Sequence, residues 1–104
     1  MAKVATKMKL YKGFVSEYKK RHNPIWPELA ALLKSYGISD YSIFLDDQTD
    51  TLFAILTADD PDRLEGLKTE EIMRKWWTYM KDLMETNDDH SPVSVPLIEM
   101  FYMP

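Results

Sequence analysis

The sequence contains no cysteine, three widely spaced glycines and only two histidines, His22 and His90. Without cysteine the chain forms neither disulfides nor thiolate nucleophiles, and two distant histidines make a poor metal site. The glycines at positions 13, 37 and 66 are too far apart to build a phosphate-binding loop. Cysteine chemistry and the Rossmann and P-loop classes of nucleotide site are therefore excluded.

Long apolar runs and basic stripes are also missing. No stretch approaches the roughly 18 apolar residues that span a membrane, and residues 1–13 lack the apolar core of a signal peptide. The net charge of -4, with both signs interspersed, gives little electrostatic support for binding nucleic acid or anionic lipid. We therefore expect a cytoplasmic protein with neither a nucleic-acid partner nor a membrane partner.

What the sequence does contain is the ordinary composition of a small globular protein. Its 104 residues are 45% hydrophobic and 29% charged, without low-complexity stretches or internal repeats. A chain of this length buries one compact core. We expect a single domain over residues 1–104.

Alternation of side-chain character predicts four strands. Apolar residues and lysines nearly alternate near the amino terminus, and two later β-rich runs flank the polar residues 46–50, which is typical of a hairpin. Pro96 is tolerated most easily near a sheet edge or a strand start. The predicted strands are residues 4–11, 41–45, 51–57 and 93–103.

The first helical segment is predicted to be broken in the middle. Apolar residues recur at steps of three and four from Tyr18 to Tyr36, the spacing of one helical face. Pro24 and Pro27 interrupt this face, because each lacks an N–H group and disfavours helix in the residue before it. His22 is therefore expected at a break between two helical pieces.

The second helical segment completes the pattern of the fold. Asp60 before Pro61 is a good helix start, and a longer helix is expected to follow a Thr69 cap. The order β-α-β-β-α-β predicts an α+β, ferredoxin-like domain with an antiparallel sheet and its helices on one face.

Both hairpin strands carry apolar side chains on both faces. Ile43 and Leu45 alternate with Phe44, and Phe53 and Ile55 alternate with leucine and alanine. Helices cover one face of such a sheet, and another subunit is expected to cover the other. The predicted assembly is a homodimer with its sheets back to back.

His22 is the first candidate for chemistry. Tyr18 lies four residues before it and hence on the same helical face. A histidine titrates near neutral pH and can move protons in both directions. A core histidine bonded to a carbonyl that the prolines leave free would give the same pattern, and spacing alone does not separate the two interpretations.

Trp76 and Trp77 form the second candidate group, since flat aromatic faces stack well on the apolar side of a sugar. Adjacent helix residues point about 100° apart, so the two side chains cannot face one spot squarely. The alternative is that Trp76 belongs to a core stripe with Ile72 and Met80. Tyr41, at the start of the second strand, is likewise either a packed aromatic residue or a ligand contact.

Three segments resemble the L-rhamnose mutarotases, and the resemblance extends along essentially the whole chain. They are YKKRHNPIWPEL at 18–29, KWWTYM at 75–80 and SPVSVPLIEMFYMP at 91–104. The resemblance implies a cytoplasmic homodimer that forms a dimeric α+β barrel. It also implies an isomerase of carbohydrate metabolism that interconverts the α and β anomers of L-rhamnose without metal or organic cofactor.

The resemblance also assigns roles to individual residues. It implies that His22 is the proton donor, and that the substrate is bound by Tyr18, Tyr41, Trp76 and Trp77. Ring opening needs a proton delivered to the ring oxygen while another leaves the C1 hydroxyl, and closure reverses both transfers. We expect His22 to protonate the ring oxygen and to recover that proton on closure. We expect Tyr18 and Tyr41 to hold the sugar hydroxyls in place. The complementary base is not identified by the sequence.

Two other functions remain open on the sequence alone. One is a cofactor-independent monooxygenase that uses the aromatic pocket of the same dimeric barrel for a quinol-like substrate. The other is a noncatalytic sugar-binding dimer in which His22 only hydrogen-bonds the ligand.

The chain departs from the family pattern at two positions. Lys20 replaces an arginine, and His90 stands where asparagine is usual. Because residues 85–92 form a polar loop, we interpret His90 as tolerated surface variation rather than as a second catalytic base.

Overall fold

The computed structural model of the protein describes residues 2–104, which form a four-stranded antiparallel sheet with helices packed on one face. The strands are β1 (Ala2–Lys9), β2 (Ile38–Asp46), β3 (Thr51–Ala58) and β4 (Val95–Pro96). The helices are α1 (Val15–His22), α2 (Pro27–Ser35), a 3₁₀ helix (Pro61–Thr69) and α3 (Glu71–Met80). No helix among these residues has the length and apolarity needed to cross a membrane.

The sheet has the strand order β2-β3-β1-β4, and each neighbouring pair is antiparallel. β3 lies between β1 and β2, which are joined through α1 and α2, so the first βαβ unit is split by an inserted strand. This confirms the ferredoxin-like order that the sequence predicts. The longest pairing joins β1 to β3, from Ala2 opposite Ala58 to Lys9 opposite Thr51.

The predicted helix break is confirmed at residues 23–26. α1 ends at His22, and α2 begins at Pro27, whose fixed φ and missing N–H suit the first turn of a helix. The break divides the connection between β1 and β2 into two helices. It also leaves His22 as the last residue of its helix.

The core lies between the helices and one face of the sheet. Its central members come from β1, β3, α2 and α3 and from the turn after α3, where Leu83 is completely buried. The buried cluster comprises Met8, Leu10, Tyr18, Leu29, Leu52, Ala54, Met73, Trp76, Met80, Leu83 and Met84.

The opposite face of the sheet carries no helix. Its side chains alternate with the buried ones, so Phe44 of β2 lies opposite Phe53 of β3, and Ile55 points the same way. Phe44 is 62% exposed and Val95 of β4 is 46% exposed. We call Phe44, Phe53, Ile55 and Val95 the open face.

The last strand is much shorter than predicted, because only Val95–Pro96 of residues 93–103 pair with β1. Pro96 has no N–H to donate to a ladder and lies on the edge strand, as its chemistry requires. Leu97 donates one more backbone bond to the Ala5 carbonyl at 2.9 Å. Beyond it the chain has no regular structure, and its apolar side chains are exposed.

Thr69 does not cap the long helix, which is a second correction. Its hydroxyl donates to the Gly66 carbonyl at 2.7 Å and so closes the preceding 3₁₀ helix. Glu70 occupies the N-cap position of α3 without a side-chain capping bond. The Asp60 start is confirmed, since its carboxylate accepts from the Asp62 N–H.

Candidate active site

A cavity of about 70 Å³ lies between the helices and the sheet, and it brings all five predicted site residues together. These residues also line a broader cavity of about 1700 Å³ that runs along the helix-covered face of the sheet. The five come from α1, β2 and α3 and are Tyr18, His22, Tyr41, Trp76 and Trp77.

His22 is held by Tyr18, one helical turn before it. The two rings stack with centroids 4.4 Å apart, and His22 Nδ1 lies 3.0 Å from the Tyr18 carbonyl oxygen. A carbonyl oxygen only accepts, so Nδ1 carries the hydrogen of this bond. Nε2 is therefore the ring nitrogen that remains available to exchange a proton with a ligand.

Burial sets the acidity of His22. Loss of hydration lowers the pKa of the imidazole below its usual 6.5, and the hydrogen bond to the Tyr18 carbonyl acts in the opposite direction. Desolvation dominates because it penalises the charged form of the ring. A protonated His22 therefore releases its proton more readily than an imidazolium in water.

The two tyrosines are electrostatically coupled. Burial raises the pKa of Tyr18, and the neighbouring Tyr41 raises it further. Burial also raises the pKa of Tyr41, although 44% of that residue's surface is exposed. Both phenols keep their protons near neutral pH and can donate hydrogen bonds to sugar hydroxyls.

The two tryptophans occupy different environments. Trp76 is only 7% exposed, meets His22 edge-on at 5.2 Å between centroids and meets Trp26 edge-on at 5.1 Å. Trp77 is half-buried and lines the cavity. Trp76 is thus a core residue, as one interpretation expected, and it also lines the cavity, so its contact with substrate stays a prediction, whereas Trp77 leaves more of its ring open to a ligand.

Comparisons with known proteins identify the family. A family model described as L-rhamnose mutarotase matches residues 3–103. The chain belongs to the L-rhamnose mutarotase family. The family expected from the sequence is therefore confirmed.

Individual relatives match along the whole chain. The L-rhamnose mutarotases of Formosa agariphila and Bacteroides thetaiotaomicron are each 50% identical over 103 residues, which is 99% of this chain and 99% of theirs. The L-rhamnose mutarotase of Burkholderia ambifaria is 47% identical over 104 residues, the full length of both. The crystal structure of the Formosa agariphila L-rhamnose mutarotase superposes with a TM-score of 0.93 at 49% identity, covering 100% of both chains.

Arg21 is a supporting residue that the sequence did not reveal. Its guanidinium bonds both carboxylate oxygens of Asp82 at 3.0 and 3.2 Å, Glu17 at 2.9 Å and the Tyr79 carbonyl. It also lies 4.6 Å from the centre of the Tyr79 ring. These contacts tie the end of α1, and with it His22, to the end of α3. Because 61 residues separate Arg21 from Asp82, no local pattern marks the pair.

Trp26 is the second supporting residue that was missed. It packs against Trp76 and lies 5.4 Å from the Tyr79 ring. Its position directly before Pro27, inside the helix break, is the only local signal that could have marked it.

His90 lies in the predicted polar loop, at the edge of the cavity. The residue is half-buried and contributes to the wall of the 70 Å³ cavity together with His22 and Tyr41. Its backbone has φ = 72°, in the left-handed region that few residues other than glycine adopt. The interpretation of His90 as tolerated surface variation stays a prediction.

Carboxylate clusters play no comparable part in the described chain. Within residues 2–104 no group of three or more histidine, aspartate or glutamate side chains is placed to hold a metal ion.

Proposed function

We propose that this chain interconverts the α and β anomers of L-rhamnose by opening and reclosing the sugar ring. The observation that carries the proposal is the meeting of His22, two protonated phenols and a tryptophan face on one cavity wall. The names of the full-length relatives, which are L-rhamnose mutarotases, support the substrate. The reaction requires only proton transfers and sugar positioning, which this set of side chains can supply.

In the proposed mechanism Nε2 of His22 delivers a proton to the ring oxygen as the bond from C1 to that oxygen breaks, while the C1 hydroxyl gives up its own proton to water and becomes the aldehyde carbonyl. On closure the carbonyl oxygen takes a proton back from water. The lowered pKa of His22 makes its protonated form a better donor. After rotation about the bond between C1 and C2, the same nitrogen recovers the proton as the C5 oxygen attacks the other carbonyl face. His22 thus returns to its starting state in each turnover.

The remaining residues position the sugar. Tyr18 and Tyr41 donate hydrogen bonds to hydroxyls, while Trp76 and Trp77 cover the C–H face and the C6 methyl. Contact with one methyl group discriminates by only about 1–3 kcal/mol. We therefore expect related sugars to react as well, more slowly than L-rhamnose.

We also propose that two copies pair through the open face into a dimeric α+β barrel. Phe44 and Val95 are large apolar side chains that this face exposes to water, and exposed apolar surface of this kind marks interaction sites. Lys7 of β1 lies between Phe53 and Val95 in the same row of the sheet. The segment after β4 extends this surface with Ile98, Met100, Phe101, Tyr102 and Met103, each more than half exposed. A second copy supplies a matching apolar sheet, because a two-fold interface is self-complementary. Location in the cytoplasm stays a prediction of the sequence.

The decisive experiment is NMR exchange between the anomers of L-rhamnose, with no protein, with the unaltered protein and with His22→Ala. We expect acceleration by the unaltered protein and a loss of about 10²- to 10⁴-fold in the variant. Lys20→Ala, an exposed neighbour on α1, is the matched control and should keep the full rate.

Circular dichroism establishes that each variant is folded. Full activity in His22→Ala would show that another residue is the proton donor. Sugar binding without acceleration would identify a noncatalytic binding protein, and oxygen uptake with a quinol would identify an oxygenase.

A further inference from the structure

We infer that a β-bulge at Asp40 directs the ring of Tyr41 into the cavity, which makes Asp40 a positioning residue for sugar binding. The inference rests on the proposed function, because it concerns how one sugar-contacting side chain of that site is held. The described wall of the 70 Å³ cavity includes Tyr41 but not Asp40, and Asp40 is exposed. Asp40 is therefore expected to act through the backbone.

β2 contains one residue more than its pairing with β3 requires. The register between the two strands shifts between Ser39 and Ser42. Asp40 and Tyr41 consequently stand together opposite Leu56 alone. Two residues opposite one is the pattern of a β-bulge, which bends the strand and can redirect a side chain.

The bulge allows both ends of β2 to face the core. Ile38 lies opposite the buried Ala58, and Ile43 lies opposite the buried Ala54. Successive strand residues point to opposite faces, so two positions an odd number of residues apart cannot share a face in a regular strand. One residue between them must be irregular, and its place decides which side chain points toward the helices.

The backbone identifies Asp40 as the irregular residue. Its φ is 48°, in the left-handed region, whereas strand residues have strongly negative φ values. Aspartate is enriched in that region among residues other than glycine, and β-branched residues are strongly disfavoured there. Tyr41 therefore follows the alternation of the regular part of β2 and shares the helix-covered face with Ile43. Both side chains line the 70 Å³ cavity.

The direction of Tyr41 matters because of what else the sheet offers the cavity. Within residues 2–104 the strands contribute three side chains to the wall, and these are Met8, Tyr41 and Ile43. Tyr41 alone among them carries a hydroxyl. Without it, the sheet side of the cavity would present a sugar with no hydroxyl or charged group to bind.

Substitutions at Asp40 should move or keep Tyr41 according to the backbone that they allow. Valine disfavours the left-handed region, so Asp40→Val should shift the irregularity along β2 and take the Tyr41 ring off the wall. Glycine and asparagine adopt that region, so Asp40→Gly and Asp40→Asn should keep the bulge. Asp40→Asn also removes the charge and so shows whether the carboxylate itself matters.

The test combines anomer-exchange kinetics on L-rhamnose with NMR resonances of the Tyr41 ring, which Tyr41→Phe identifies. We expect Asp40→Val to raise KM about 3- to 10-fold, the effect of one lost hydrogen bond, and to change kcat by less than about threefold. The ring resonances should move toward those of a tyrosine in water. Asp40→Gly and Asp40→Asn should retain the KM and the resonances of the unaltered protein.

A double variant shows whether Asp40 acts through Tyr41. In the Tyr41→Phe background the hydrogen bond is already absent, so adding Asp40→Val should change KM no further. Independent, multiplying effects on KM would overturn the inference. If Asp40→Val does not fold, Asp40→Ala makes the same comparison with a smaller backbone penalty.

Asp50→Val is the matched control. Asp50 also has a left-handed φ, of 55°, but it lies in the turn between β2 and β3 and is absent from the described walls of both cavities. This variant should be less stable to urea, as Asp40→Val should be, and should keep the unaltered KM. An equal rise of KM in both valine variants would overturn the inference.

Two further outcomes would contradict the role of the bulge. Loss of activity in Asp40→Asn would overturn it in favour of a carboxylate that acts on the sugar directly. Unchanged Tyr41 resonances in folded Asp40→Val or Asp40→Ala would overturn it whatever the activity. No acceleration by the unaltered protein would overturn the proposed function, and the resonances would still decide whether Asp40 places Tyr41.

Discussion

The surroundings of His22 fix the tautomer of its imidazole and disfavour the protonated, charged form. The carbonyl of Tyr18 takes the hydrogen of Nδ1, and the rings of Tyr18 and Trp76 exclude water from the imidazole. Burial consequently lowers the pKa of His22 in the folded protein relative to the unfolded chain. Protonation of this residue is therefore linked to stability as well as to catalysis.

The linkage predicts that His22 makes the protein less stable in acid. Between the lowered folded pKa and the unfolded value of 6.5, the unfolded chain binds more protons, so the free energy of unfolding falls as the pH decreases through this window. His22→Asn should lose less stability on the same acidification. Urea unfolding of both proteins at pH values on either side of the window measures this, and parallel losses would contradict the prediction.

Substitution of Trp76 should mainly affect stability, whereas substitution of Trp77 should mainly affect substrate binding. Trp76→Ala removes a ring that is 7% exposed and packed against His22 and Trp26, so we expect it to cost about 3–5 kcal/mol of unfolding free energy. Trp77→Ala should cost less and should mainly raise KM. Urea unfolding and anomer-exchange kinetics on both variants provide the comparison. Equal effects of the two substitutions on stability would show that this division is wrong.

At the residue scale, the contacts that could be predicted from the sequence are those between residues close together along the chain. Tyr18 and His22 stand four apart on one helical face, and their stacking follows from that spacing. Contacts between distant segments left no such signal, which is why the pairing of Arg21 with Asp82 was missed. Polar character predicted a loop at residues 85–92 but could not indicate which of its side chains faces the cavity.

At the scale of elements, the site depends on how α1 is held against α3. Arg21, whose side chain is 14% exposed, is the link between the last turn of α1 and the residues just after α3. Its planar fork binds the two oxygens of Asp82 together, a geometry that lysine cannot reproduce. Because His22 follows Arg21 directly, this link helps to set the position of the imidazole.

We expect Arg21→Lys to lower kcat while leaving the fold intact. Loss of the two-oxygen contact should cost about 1 kcal/mol, a modest figure because Asp82 is 60% exposed and well solvated. Exchange kinetics and thermal unfolding measure the two effects. Lys75→Arg, on the exposed side of α3, is the matched control, and an unchanged kcat in Arg21→Lys would show that Arg21 does not position His22.

The elements themselves were predicted unevenly. The hairpin strands and the helix break were found because alternation and proline chemistry act locally. The last strand was overextended, since residues 97–103 are rich in apolar side chains that a single chain leaves exposed. Apolar composition there does not reflect burial within the chain, and periodicity cannot distinguish a core strand from an interface segment.

At the scale of the whole molecule, the sheet separates two functions. The helix-covered face carries the proposed catalytic cavity, and the open face carries the proposed dimer interface. Substitutions on the helix-covered face should therefore change activity with little effect on dimerisation, and substitutions on the open face should do the reverse.

We expect the unaltered protein to sediment at twice its chain mass of 12.2 kDa and Phe44→Lys to sediment at that mass. A charge at this 62% exposed position is harmless in the monomer but is unfavourable when buried between two sheets. Thr78→Lys, on the exposed side of α3, is the control and should leave the mass unchanged. A monomeric unaltered protein would refute the dimer.

The aromatic packing around His22 gives the protein a natural optical reporter. All three tryptophans of the chain lie in or beside the cavity, with Trp76 touching both His22 and Trp26 and with Trp77 on the wall. Intrinsic tryptophan emission therefore arises only from the neighbourhood of the site, without signal from elsewhere. Sugar occupancy and the charge of the imidazole should both be readable as fluorescence changes in the unlabelled protein.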